Sequence, residues 1–291
     1  MLGAFDEAAL EAPARDSEDY VVPDAATLEA VENAARAVAT GRYTDALAFA
    51  DDAEHRLCRG QSAAEAELIL LAPVRADIGW ARASLRRGVA SPWIIGAPHP
   101  MFEINTRPQA IGLYADLEAR ALIVSGTHRC ANSEAVVCDG TTGVCGGSSQ
   151  PYPVSDPAHD TESTFHRMHV GFADAFEDAV VVSVHGMARD GVSLSNGTSS
   201  PVAADSPVAR LAAGLVAEGV EDVTACNDGA GVPRELHLCG GTNVQGRYVN
   251  GSPEACTERA PAATDRFIHI EQSRAVRDAP DRVQAAFERA Q

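Results

Sequence analysis

The sequence predicts an α/β fold in which a mixed, mainly parallel sheet is sandwiched by helices, with a helical extension on its N-terminal side. Two observations carry this. From Pro92 onward, short apolar runs alternate with helix-length amphipathic stretches, the pattern of strands covered on both faces by helices. Apolar residues make up 45% of 291 residues, enough to bury a sizeable core.

The apolar runs are Trp93–Gly96, Ala121–Ser125, Ala179–Val184, Val220–Ala225 and Phe267–Ile270, with helices expected at Pro108–Ala119, Ser163–Phe176 and Pro207–Glu218. Before Pro92 the texture differs. Leu28, Val31, Ala34, Ala35 and Val38 recur at helical spacing. Gly41 ends that helix and Tyr43 starts another. Further helices are expected over Ala63–Leu71 and Arg75–Arg87. The chain thus divides into residues 1–24, disordered or loosely attached; 25–91, a helical extension covering the main domain; and 92–291, the domain that carries the chemistry.

Charge excludes several function classes. The net charge is -18 and no lysine is present. A nucleic-acid binder needs a cationic footprint, and an anionic membrane surface is disfavoured for the same reason. Schiff-base, P-loop and Ser-Lys chemistries all need a lysine. No apolar run approaches the roughly 18 to 20 residues that span a bilayer, and the acidic, Ala-rich start is not a signal peptide as it stands. A GxSxG elbow is absent, so a serine hydrolase is not supported.

Seven cysteines are present and none forms a CxxC pair. Cys130, Cys138 and Cys145 lie in a Gly/Ser/Thr/Asp-rich stretch, and Cys239 and Cys256 flank another Gly-rich loop. Such placement suits disulfides and an extracytoplasmic or secreted protein. The odd count leaves at least one thiol free or paired outside the chain. The loop over residues 140–157 is long enough to be either functional or disulfide-stapled.

Polar residues follow the expected strands with regularity. One apolar run leads into His99, a second into His128 and Arg129, a third into His185-Gly186, and the last carries Glu271. Open α/β sheets bind ligands at the carboxyl ends of their strands. His99 and Glu103 are four residues apart and converge if that segment turns; His185 supplies a third donor. Two His and one Glu leave a coordination position open for water, as a catalytic zinc requires. Glu271 ends an apolar strand, where a carboxylate can take a proton from metal-activated water, or pair instead with Arg274 or Arg277. Arg129 and Arg247 are candidates for binding an anionic group or a developing oxyanion. Asn132 and Asn243 are weaker hydrogen-bonding candidates. His166 and His169 share a helix face, as further metal donors or as the polar side of an amphipathic helix.

The ordered series Ala97-Pro98-His99-x-x-x-Glu103, Val184-His185-Gly186-Met187, Gly241-Thr242-Asn243-Val244-Gln245-Gly246-Arg247 and His269-Ile270-Glu271-Gln272-Ser273-Arg274-x-x-Arg277 resembles the phage-type poly-γ-glutamate hydrolases. It is also similar to the N-formylglutamate amidohydrolases; both groups belong to the zinc-carboxypeptidase-like superfamily. The resemblance covers about Trp93 to Asp278, in patches. It implies zinc at His99, Glu103 and His185, a general base at Glu271, and substrate or oxyanion contacts at Arg247 and, more loosely, Arg129. Pro100-Met101-Phe102 stands where those hydrolases carry glycines. The expected function is a zinc-dependent hydrolase of amide bonds acting on a small anionic amide or peptide, because a chain at -18 repels a long polyglutamate. A non-catalytic, disulfide-stapled binding protein on a degenerate hydrolase fold is the alternative, and a metal-independent hydrolase a third reading.

Overall fold

A computed structural model describes residues 3–9, 11–62, 64–88, 90–227 and 238–291. Nine strands form one sheet: β1 (His55–Gln61), β2 (Glu67–Pro73), β3 (Arg82–Arg86), β4 (Ser91–Ala97), β5 (Ala119–Val124), β6 (Val180–Gly186), β7 (Val192–Ser195), β8 (Val223–Ala225) and β9 (Phe267–Gln272). Their order is β1-β2-β3-β5-β4-β6-β9-β7-β8.

The α/β class is observed, but the expectation of a mainly parallel sheet is not met. The pairs β5/β4, β4/β6, β6/β9 and β7/β8 are parallel. The pairs β1/β2, β2/β3, β3/β5 and β9/β7 are antiparallel. Helical crossovers build the central parallel block β5-β4-β6-β9 and the edge pair β7/β8, while the remaining pairings are antiparallel.

Alternating side chains serve two cores. On one face Val182, Val184, Ile268 and Ile270 pack with residues of α4 (Thr106–Asp116), α6 (Pro207–Ala217) and α9 (Pro280–Ala290). On the other, Val181 and Phe267 pack with α2 (Ala25–Ala39), α3 (Tyr43–Asp52) and α5 (Thr164–Ala175). The α2 helix meets α5 through small residues: a Cβ on Gly171 would lie 2.6 Å from the Glu32 carbonyl oxygen and 2.9 Å from Ala35 Cβ. Such close approach needs glycine. Short helices α1 (Gly3–Ala9), α7 (Val244–Val249) and α8 (Arg274–Arg277) complete the described elements.

The N-terminal third departs from expectation. The helices over Ala25–Ala39 and Tyr43–Asp52 form, but the helices expected over Ala63–Leu71 and Arg75–Arg87 are replaced by strands β2 and β3. β2 is a buried apolar run, and periodicity cannot separate such a run from a buried helix segment. In β3 every residue is buried, Arg82 and Arg86 included. The Arg86 guanidinium is absorbed by the carbonyls of Tyr114, Ala115 and Ala119. Since β3 pairs with β5, the sheet has no break at residue 92.

Residues 11–24 are not loose. The Pro13 carbonyl accepts from His128 N at 3.1 Å, Asp16 N donates to the Cys130 carbonyl at 2.7 Å, and Tyr20 is buried. Three disulfides staple the loops: Cys130–Cys145, Cys138–Cys256 and Cys226–Cys239, leaving Cys58 free. No helix among the described residues is long and apolar enough to cross a membrane.

Candidate metal centre

His99 lies just past the end of β4. The chain then turns, with Phe102 N and Glu103 N both donating to the His99 carbonyl, at 3.1 and 2.9 Å. That turn brings the two side chains together: His99 Nδ1 lies 2.8 Å from Glu103 Oε1. His185 arrives from β6. Its Nδ1 is 3.5 Å from Glu103 Oε2, and Gly186 N donates to the same oxygen at 2.9 Å. His99, Glu103 and His185 each offer a donor atom within 4.8 Å of the others, and all three are buried.

The outer nitrogens of both imidazoles are held. His99 Nε2 lies 2.7 Å from Asp156 Oδ1, and His185 Nε2 lies 2.9 Å from Ser183 Oγ. Partners of this kind orient metal-binding imidazoles and fix their tautomer. His99 therefore faces a carboxylate from each ring nitrogen. A neutral imidazole has one proton for the two; the second position takes either another proton or a cation. Burial and Arg129 oppose a charged His99 ring, but Glu103 and Asp156 outweigh them and raise its pKa. Burial likewise opposes the Glu103 carboxylate, and its His99 and His185 partners overcome this and hold it well below the usual range. Two nitrogens and one carboxylate, with the outer nitrogens already engaged, are a donor set that fits a metal ion.

Arg129 follows β5 and reaches the cluster through Asp156 and Glu103. Its Nε lies 3.0 Å from Asp156 Oδ2, and its Nη1 lies 3.8 Å from Glu103. Asp156 is fully buried. Burial works against its charge, but Arg129 and His99 outweigh that and keep it ionised.

Glu271 comes from β9, beside His185 in the parallel register with β6. Because β-strand side chains repeat every two residues, His269 shares its face, and His185, His269 and Glu271 form a second group of potential donors. The His185 and His269 rings lie 4.6 Å apart. Burial pushes the Glu271 carboxyl up to about 7, reinforced by Glu103. Its Oε2 has no hydrogen-bond partner among the described residues.

Not every expected residue joins. Arg247 is buried, but its guanidinium is spent on the Asp139 carboxylate and on the carbonyls of Gly241, Ala255 and Cys256. It braces the Cys138–Cys256 loops, so the expected substrate contact is corrected to a structural one. Asn243 caps α7, and Asn132 bonds the backbone of Tyr20 and Glu134. His166 and His169 are buried beside Tyr248 on α5, outside both donor groups.

Asp156, Ser183 and His269 were not singled out by the sequence reading. His269 was legible as the residue two before Glu271 on one strand. Asp156 sits within the loop recognised only for its length, and nothing local marks it.

No family model matches this chain, and no curated protein does. Among solved structures it is similar to a protein from Shewanella amazonensis SB2B described as a "putative metallopeptidase", at 13% identity and a TM-score of 0.33, over 86% of this chain and 91% of that one. A likeness this distant carries no argument about fold or function, and the families suggested by the motif order are not established by it.

Proposed function

We propose that the protein is a zinc-dependent hydrolase of amide bonds, of the N-acyl-amino acid, γ-glutamyl or peptide type. The observation that carries this reading is the convergence of His99 Nδ1 and His185 Nδ1 on Glu103, with each outer nitrogen already engaged. The motif order shared with poly-γ-glutamate hydrolases and N-formylglutamate amidohydrolases is consistent with it. The three disulfides support an extracytoplasmic location.

His99, Glu103 and His185 would hold the ion. When bound, zinc supplies a Lewis acid for the scissile carbonyl and lowers the pKa of attacking water. Glu271 takes the role of general base. Buried and raised to about 7, it sits where the best match between protonation state and proton affinity lies near neutral pH, and its Oε2, without a hydrogen-bond partner among the described residues, is placed to accept a proton and return it to the leaving amine. Arg129, neutralised on one side by Asp156, keeps Nη1 directed toward His99 and Glu103, and we assign it the role of donor to a developing oxyanion. Asp156 and Ser183 keep the imidazoles in register.

The test is Glu271→Gln, assayed on N-acyl amino acids and γ-glutamyl peptides alongside a metal assay. The expected result is turnover reduced by about 10²- to 10⁴-fold with metal content unchanged. Near-normal turnover in a metal-replete variant would remove Glu271 from the chemistry.

A further inference from the structure

The hydrolase reading leaves the histidines of α5 without a role. His166 is 3% exposed and lines a cavity of about 750 Å³ between the first turns of α5 and the loop over residues 252–257. None of the candidate metal donors lines this cavity.

Its walls are fixed in place. The Cys138–Cys256 disulfide ties the 252–257 loop to the segment that carries Val137, another lining residue. The buried Arg247 guanidinium donates to the Ala255 and Cys256 carbonyls at 3.2 and 3.0 Å. Tyr248 donates its hydroxyl to Asp174 at 2.5 Å, and its ring stands edge-on to that of His166 with centroids 5.9 Å apart. A cavity held this way loses little freedom when a ligand enters.

Two proton donors are left over on the α5 side. Gln245 Nε2 donates to the Pro157 carbonyl at 2.8 Å, and the same nitrogen lies 3.4 Å from His166 Nδ1. A carbonyl only accepts, so the Gln245 group is the NH₂ and His166 Nδ1 is an acceptor. Burial, with His169 and Arg167 adding to it, lowers the His166 pKa well below its ordinary value and keeps the ring neutral. Its single proton therefore sits on Nε2, which no hydrogen bond among the described residues engages. Arg167 Nε is also buried without a partner among the described residues, although Arg167 Nη1 pairs with Glu32 at 3.2 Å. Buried donors left unpaired are costly and call for an acceptor.

The charges around the cavity select the kind of acceptor. Glu32, Glu162 and Glu254 line it against Arg167 alone, so an anion is repelled. An ammonium group would suit the carboxylates but has no lone pair for the two donors. A hydroxyl group does both, accepting from His166 and Arg167 and donating to a carboxylate. Val137, 80% exposed, and Val170 add apolar surface, which suits the C–H faces of a ring.

We propose that this cavity binds a neutral saccharide, with His166 Nε2 and Arg167 Nε donating to its oxygens and Glu162 and Glu254 accepting from its hydroxyls. A few fixed polar groups beside apolar surface are the usual composition of a small-ligand pocket. No candidate metal donor takes part, so the site stands or falls independently of the hydrolase reading.

Calorimetric titration of the intact protein with maltotriose, cellotriose and N,N′-diacetylchitobiose tests this, with trigalacturonate and putrescine as the anionic and cationic alternatives. At least one neutral saccharide is expected to bind saturably, and trigalacturonate about ten-fold or more weakly. His166→Phe removes the Nε2 donor and Glu162→Ala the carboxylate acceptor. Each is expected to weaken the saccharide by about ten-fold. Glu162 is exposed, so its replacement reads the site even where the buried His166 variant fails to fold. Binding of no neutral saccharide, tight binding of putrescine or trigalacturonate in their place, or an affinity unchanged in both variants overturns the proposal.

Discussion

His185 and Glu271 are register partners across the parallel pair β6/β9, so their side chains leave the sheet on the same face. One of them belongs to the candidate metal donors and the other is the proposed base. The distance between donor and base is therefore set by the strand spacing of a sheet, about 4.8 Å, rather than by a loop, and a rigid element is the better platform for catalytic geometry.

Asp156 makes the next demand. It pairs with His99 on one oxygen and Arg129 on the other, at zero exposure. Asp156→Asn is expected to weaken zinc affinity about 10- to 100-fold. It is also expected to cost on the order of 3 kcal/mol of stability, because Arg129 loses its counter-ion while remaining buried. Competition with a chelating dye measures the first effect and urea denaturation of the metal-free protein the second. Unchanged zinc affinity would show that the His99 tautomer does not depend on this carboxylate.

The disulfides should contribute unequally. Cys138–Cys256 closes a separation of 118 residues and Cys226–Cys239 one of 13. In the loop-entropy picture these correspond to about 5 and about 3 kcal/mol. The longer bridge also holds the loops braced by Arg247 and Asp139. Replacing Cys138 and Cys256 together by serine is expected to lower the Tm more than the same change at Cys226 and Cys239. The opposite order in thermal scans would contradict this.

Acid should destabilise the protein before its surface carboxylates titrate. His55 and His169 are both buried, and burial lowers each from 6.5 to about 4. Between those values the unfolded chain binds protons that the folded chain rejects. Stability therefore falls as the pH drops from about 6.5 to about 4 and gains nothing further from these groups below that. Each histidine contributes on the order of 3 kcal/mol across the window. His55→Gln should flatten the dependence of urea-unfolding stability on pH in this range; an unchanged slope would mean the ring is hydrated or charged in the folded state.

The sequence made the central sheet legible because its strands and helices alternate with clear periods: β4, β5, β6 and β9 lie where the apolar runs predict, and α4, α5 and α6 where the amphipathic ones do. It hid β2 and β3. Glu67–Pro73 is buried almost throughout, which erases the alternation that marks a half-covered strand, and Arg82 and Arg86 look like surface residues until their burial is known. The donors His99, Glu103 and His185 were readable from spacing and strand ends. Asp156 was not, since it reaches His99 from 57 residues away in sequence through an irregular loop. Arg247 misled for the complementary reason: an arginine in a Gly-rich loop suggests a ligand contact, whereas here a carboxylate and three carbonyls already surround it.

The central claim is the ion at His99, Glu103 and His185. The most direct measurement is metal content by inductively coupled plasma mass spectrometry, on the wild type and on His185→Ala, each purified after equilibration with zinc. The account predicts about one zinc per chain in the wild type, with loss of most of it in the variant. A wild type that binds no metal, or a variant that keeps it fully, would contradict the account.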